Sequence, residues 1–263
     1  MKNIVLFGGG NISQAIAEGL INAGYNKNNI FYIDRNPKNQ KTLKKMQIKR
    51  LKKSLLPKID LFILAVKPKD ALNAYKEIVA DYKKPKIISF VAGIKSKKYL
   101  KINRDIQFLR AMPNTSSRFN LGITALFNST FSQSNLKKII MLFKKVGIVI
   151  HFNEESKIDT FTGMVGSGPA YFFYLLKSYE KKLIPLCKGD KNKANEIMMN
   201  LIKGVGASIE NNKNLDELIA AVASKKGTTE AGLKSFKLQK LDKIFEQGIS
   251  AAVKRSKEIS NES

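Results

Sequence analysis

In "VLFGGGNISQAI", residues 5–16, Gly8, Gly10 and Ser13 stand in the frame G-x-G-x-x-G. Glycines leave backbone N–H groups uncovered at a tight turn, and a helix opening at Asn11 and Ile12 adds the positive end of its dipole. That combination suits capture of a pyrophosphate. Gly-rich turns are common, so the weight lies in context: an apolar strand precedes the turn, a helical pattern follows, and a second strand, "IFYID" at 30–34, comes next, the order a dinucleotide site requires. Ser13 occupies the third glycine position, where a side chain is expected to loosen the helix-to-strand approach. At the end of the second strand lie Asp34 and Arg35. An acid there accepts from the ribose 2'-hydroxyl of NAD, whereas an arginine accommodates the 2'-phosphate of NADP. This chain offers both.

A second stretch with chemical potential is "VASKKGTTEAG", residues 222–232, where two lysines precede a Gly-Thr-Thr turn. It reads either as basic surface or as a loop that holds a small anion. Elsewhere the sequence offers no convincing nucleophile and base. The single histidine, His151, sits in a strand-like run and reads as structural; one cysteine, Cys187, excludes an intrachain disulfide framework and, with one histidine, speaks against a Cys/His metal site.

The elements that must position these residues follow from hydrophobic periodicity. Apolar, β-branched runs at 3–8, 30–34, 60–66, 86–91, 106–112, 122–127 and 147–152 predict strands, and helical spacing appears at about 12–24, 69–82 and 134–145. Near-continuous apolar strands alternating with helices predict an α/β domain over 1–152, a Rossmann-like, mostly parallel sheet covered on both faces. From 153 to 263 the strand signals stop, and an all-helical domain is expected, with segments at 169–184, 191–209, 214–223, 229–236 and 240–258. The first of these, "AYFFYLLKSYEKKL", is apolar nearly all round before Lys177, so it belongs inside a bundle or at a subunit interface. The last ten residues or so are polar and expected to fray.

Composition bounds the partners. The 263 residues are 43% hydrophobic, enough for a packed core, and their formal net charge is +26. The lysines are spread over almost every helical segment and are not interleaved with aromatics, which reads as a solvated face and not as a nucleic-acid surface. No run of about 18 apolar residues suggests a membrane span, and Met1 leads directly into a strand without a cleavage site, so a cytoplasmic protein is expected.

Five co-linear segments then define a resemblance: "LAVKP" at 64–68, "SFVAGI" at 89–94, "LRAMPNT" at 109–115, "TGMVGSGPAYFF" at 162–173 and "SKKGTTEAG" at 224–232. Together with the glycine turn they resemble, over essentially the whole chain, the pyrroline-5-carboxylate reductase family. The resemblance implies hydride transfer from a reduced nicotinamide to the C=N carbon of 1-pyrroline-5-carboxylate, giving L-proline, in a homodimer built through the C-terminal helices. NADP(H) is the expected cofactor because of Arg35 and the positive field, with NAD(H) the alternative. By the same resemblance Ala65, Val66, Lys67, Pro68, Ala92 and Gly93 line the nicotinamide end, and Asn114 faces that cleft. Gly227, Thr228 and Thr229 would offer backbone N–H groups to the ring carboxylate, the Thr229 hydroxyl would bond the ring nitrogen, and Ser224 would assist. Glu155, at the domain junction, either reaches the ring nitrogen or forms a junction salt bridge. The family's usual loop reads Ser-Pro-Gly-Gly-Thr-Thr; Lys225 and Lys226 replace its Pro and first Gly, placing a side chain on a position expected to need positive φ. Reduction of a different cyclic imine and a catalytically weakened nucleotide-binding paralogue are the rival readings.

Overall fold

The computed structural model describes residues 1–51 and 58–262. Eight strands form one sheet: β1 (Ile4–Phe7), β2 (Ile30–Ile33), β3 (Lys49–Arg50), β4 (Leu61–Leu64), β5 (Lys86–Ser89), β6 (Gln107–Pro113), β7 (Gly122–Asn128) and β8 (Gly147–Phe152). Their spatial order is β3-β2-β1-β4-β5-β6-β7-β8. All neighbours are parallel except β6 and β7. The chain reverses direction across the sheet between β1 and β4, and such a switch point leaves a crevice outside the carboxyl ends of the strands.

Alternation along β1 explains the layers. Ile4 and Leu6 join one apolar cluster, with Ile16 and Leu20 of α1 (Asn11–Asn22) and Ile139 and Leu142 of α5 (Gln133–Lys144). Val5 and Phe7 join another, with Ala71, Tyr75 and Ile78 of α3 (Pro68–Asp81) and Tyr99 of α4 (Ser96–Ile102). Successive strand residues face opposite ways, so a sheet buried on both sides needs an apolar residue at every position. β1 and β4 are buried throughout, as that rule requires.

Over residues 1–152 the expected strands and helices are present, and among the described residues two α-helices and the two-residue β3 join them. The short α2 (Pro37–Lys45) has too few apolar residues to show a helical period; it starts because Asn36 accepts from the Lys38 N–H and Pro37 pre-sets the first turn. The other is α4.

The strands end at Phe152, yet the chain divides into compact units elsewhere: Met1–Ser167 with Ala251–Ser263, and Gly168–Ser250. The shift has a packing cause, since Ile158 and Phe161 of α6 (Ser156–Phe161) are buried with Met112 of β6 and Ala125 of β7. The second unit contains α7 (Gly168–Leu186), α8 (Lys191–Asn211), α9 (Leu215–Val222), α10 (Thr228–Leu238) and the start of α11 (Leu241–Glu262). The C-terminus does not fray as expected. Helix α11 runs to Glu262, Ser256 and Ser260 are buried, and a side-chain carbon at Gly93 would lie 2.4 Å from Cγ2 of Ile259. Among the described residues no helix is long and apolar enough to cross a membrane.

Candidate functional site

The glycine turn lies at the carboxyl end of β1. Gly8 has φ +104° and a Cβ there would sit 2.4 Å from the Ala65 carbonyl oxygen, so both its conformation and the closeness of the β4 end demand glycine. Gly10 is different. It precedes α1 without a side-chain cap, and a Cβ built on it meets nothing within 4 Å. No neighbour among the described residues requires the missing side chain at this position, whereas a phosphate approaching the Asn11 and Ile12 N–H groups needs the space. The turn therefore fits a pyrophosphate. Ser13, expected to loosen the turn, tightens it: fully buried, it donates from Oγ to the Gly8 carbonyl at 2.5 Å, and Gln14 Nε2 donates to the Gly9 carbonyl at 2.8 Å.

The residues expected at the same crevice end successive parallel strands. Ala65 and Val66 follow β4, with Ala65 N–H donating to the Phe7 carbonyl at 2.8 Å, and exposed Lys67 and Pro68 begin α3. Ala92 and Gly93 follow β5, Gly93 at φ +78°. Asn114, buried after β6, accepts from the Ile123 N–H at 3.0 Å through Oδ1. After β2, Arg35 is 91% exposed, and among the described residues it pairs with half-exposed Glu77 at 3.2 Å. Such a surface pair yields readily to a stronger anion. Asp34 is more occupied: its carboxylate accepts from the N–H groups of Gly9 and Asn36 at 2.5 and 2.6 Å and from Asn39 Nδ2 at 3.2 Å.

In the helical unit the Gly-Thr-Thr turn starts α10. Gly227 is its N-cap and supplies no side-chain bond, so the first-turn N–H groups of Thr228 and Thr229 have no acceptor within the helix. The N–H of Gly227 itself, expected to face substrate, donates to the Ser224 carbonyl at 3.0 Å. That turn explains the glycine: a Cβ at 227 would stand 2.3 Å from Ser224 Oγ. Lys226 adopts φ +58°, the left-handed conformation anticipated from the replaced glycine.

Glu155 is engaged in a junction network. Its Oε1 accepts from Ser96 N–H at 2.6 Å, from Ser96 Oγ at 2.9 Å and from Arg110 at 3.1 Å, and Arg110 also pairs with Asp159 at 3.2 Å. Arg110 is 1% exposed and Asp159 is buried, so the network neutralises a buried cation between β6 and α6. Burial pushes the nearby Tyr99 hydroxyl up to about 12, partly offset by its bond with Ser89 and by the Arg110 charge. Of the two readings of Glu155, the geometry favours the salt bridge. Sequence reasoning passed over Arg110 and Asp159; the available signal was one arginine inside the otherwise apolar "QFLRAM". The Ser167 N–H, just before α7, donates to the Thr162 carbonyl at 3.0 Å. His151 is exposed on the edge strand β8.

Helix α7 leaves Phe172, Phe173 and Tyr174 at 61%, 68% and 75% exposure in the single chain. Residues 155–259 match the family described as pyrroline-5-carboxylate reductase dimerisation, and residues 3–93 match one described as NADP oxidoreductase, coenzyme F420-dependent. The chain is 32% identical to the pyrroline-5-carboxylate reductase of Staphylococcus aureus strain COL, with 98% of each chain covered. It is 30% identical to pyrroline-5-carboxylate reductase 1 of Bacillus subtilis, over 99% of this chain and 90% of that one. Among solved structures, the pyrroline-5-carboxylate reductase of Coxiella burnetii superposes with a TM-score of 0.83 at 28% identity, covering 98% of both chains.

Proposed function

This chain belongs to the pyrroline-5-carboxylate reductase family, and from that premise we infer how its own residues perform the reaction. It is an NAD(P)H-dependent reductase that converts the C=N bond of 1-pyrroline-5-carboxylate to the C–N bond of L-proline. When bound, the reduced nicotinamide supplies the hydride.

The chain's part is binding, orientation and control of one proton. The N–H groups of Asn11 and Ile12 hold the pyrophosphate in the space beside Gly10, and Arg35 meets a ribose 2'-phosphate, which makes NADP(H) the preferred form and NAD(H) the weaker one. The match of residues 3–93 to an NADP oxidoreductase family supports that preference. Ala65, Val66, Lys67, Pro68, Ala92, Gly93 and Asn114 shape the nicotinamide end. At the other reactant, the N–H groups of Thr228 and Thr229 bind the ring carboxylate at the positive end of α10, with Ser224 assisting. The Thr229 hydroxyl hydrogen-bonds the ring nitrogen, fixing the imine's orientation and the position of its proton as the carbon accepts hydride.

The observation that most supports this reading is the α10 start, an uncapped helix end of 11 residues led by Gly227. A small carboxylate satisfies the N–H groups there. Glu155 is assigned to the junction ion pair. The apolar face of α7 buries itself against a second copy of the chain. Incubation of the purified protein with pyrroline-5-carboxylate and NADPH, then with NADH, tests the function. Formation of proline with cofactor oxidation is expected, and oxidation of neither cofactor would overturn it.

A further inference from the structure

We propose that Asp34 is a positioning residue for the cofactor turn and does not read the ribose 2'-hydroxyl. An acid at the end of the second strand is ordinarily placed to accept from that hydroxyl. Here most of its acceptor positions are already in use. Gly8 N–H donates to the Ile33 carbonyl at 2.8 Å, continuing the β1–β2 pairing one residue past the strand. At the next residue no carbonyl serves, and the Asp34 side chain takes over through the 2.5 Å bond from Gly9 N–H to Oδ2. The same oxygen accepts from Asn39 Nδ2, and Oδ1 accepts from Asn36 N–H, at 3.2 and 2.6 Å. A carboxylate has about four acceptor positions, so three are filled from inside the protein.

The arrangement holds the turn from both sides. Ser13 and Gln14 donate to the Gly8 and Gly9 carbonyls, while Asp34 accepts from the Gly9 N–H. The turn packs closely over these side chains: a Cβ on Gly9 would stand 2.7 Å from Leu43 Cδ1 and 3.1 Å from Asp34 Oδ2. Asp34 thus fastens the phosphate-binding turn to the β2–α2 segment carrying Arg35, and leaves the 2' position to that exposed guanidinium. An acid and an arginine in succession cease to be contradictory signals. The two residues have separate tasks.

The proposal rests on the dinucleotide reading of the turn and is separable from it. Asp34→Asn and Asp34→Ala both remove the charge, but only asparagine retains an oxygen that can accept from Gly9, so their difference isolates the hydrogen bond. Calorimetric titration should show binding of NADPH and NADH weakened from the Asn to the Ala variant by the same factor, about tenfold. Residue-resolved hydrogen exchange should show the Gly9 amide about tenfold faster in Asp34→Ala than in Asp34→Asn. Should the Ala variant not fold, the wild-type protein alone decides: without cofactor, Gly9 should exchange slowly while Asn11 and Ile12 exchange fast until NADPH is added. An Asn-to-Ala loss confined to NADH, or a Gly9 amide protected only when cofactor binds, would overturn the proposal and leave the reductase assignment intact. Failure of the wild-type protein to bind either cofactor would remove the dinucleotide reading and the proposal together.

Discussion

The N–H of Lys226 donates to the Oε2 of Glu230 at 2.5 Å, bridging the residue before the α10 N-cap to the third residue of the helix. This bond steadies a loop whose lysine occupies φ +58°, a conformation that costs little only for glycine. Lys226→Gly is expected to raise the melting temperature by about 2 °C, because the strain at the native φ is relieved. A lower melting temperature would show that the side chain contributes more than its backbone costs.

Glu155 gives a prediction that separates stability from catalysis. Replacing it by Ala leaves buried Arg110 with Asp159 as its remaining carboxylate partner. With Asp159 still compensating the arginine, losing the charge-assisted bonds to Arg110 and Ser96 costs about 2 kcal/mol, and the denaturant midpoint should fall accordingly. KM for the imine should stay within about twofold of wild type. A large rise in KM with unchanged stability would return Glu155 to the substrate.

Asp60 gives the acid side of the stability profile. Burial works to raise its carboxyl, but the N–H groups of Asn3 and Lys2, helped by the chain terminus and Lys86, outweigh burial and hold it below its ordinary value. A carboxyl depressed by folding stabilises the protein above its unfolded pKa, and that contribution disappears as pH falls through the folded value. Asp60→Asn should therefore melt about 2 °C below wild type at neutral pH, with the gap closing as pH falls below about 4, the ordinary carboxyl value. A gap independent of pH would contradict this.

The apolar face of α7 predicts the assembly. Phe173 is 68% exposed in the single chain, and an aspartate there would bury an unpaired charge in any interface built on that face. Light scattering should find the wild-type chain as a dimer or larger and Phe173→Asp shifted towards monomer. An unchanged mass would place the interface elsewhere.

The sequence made the sheet legible because a sheet buried on both faces writes itself as unbroken apolar runs, and β1 and β4 are of that kind. β3 was missed because it is the two-residue pair Lys49–Arg50, exposed and without an apolar pattern. Among the site residues, Gly8 and Gly227 could be read locally, since their demands arise at turns. The partners of Asp34 and Glu155 could not. Gly9 lies 25 residues from Asp34, and Arg110 lies 45 from Glu155. One-dimensional spacing does not say which donor will fill an acceptor brought near by folding.

The central claim is that the start of α10 holds the substrate, with the Thr229 hydroxyl on the ring nitrogen. The most direct measurement is kcat/KM for pyrroline-5-carboxylate in Thr229→Ala, with the dissociation constant for NADPH measured in parallel. The account predicts a loss of about 100-fold in kcat/KM, as for removal of a single oriented donor, with NADPH binding unchanged. Full activity in Thr229→Ala would contradict it.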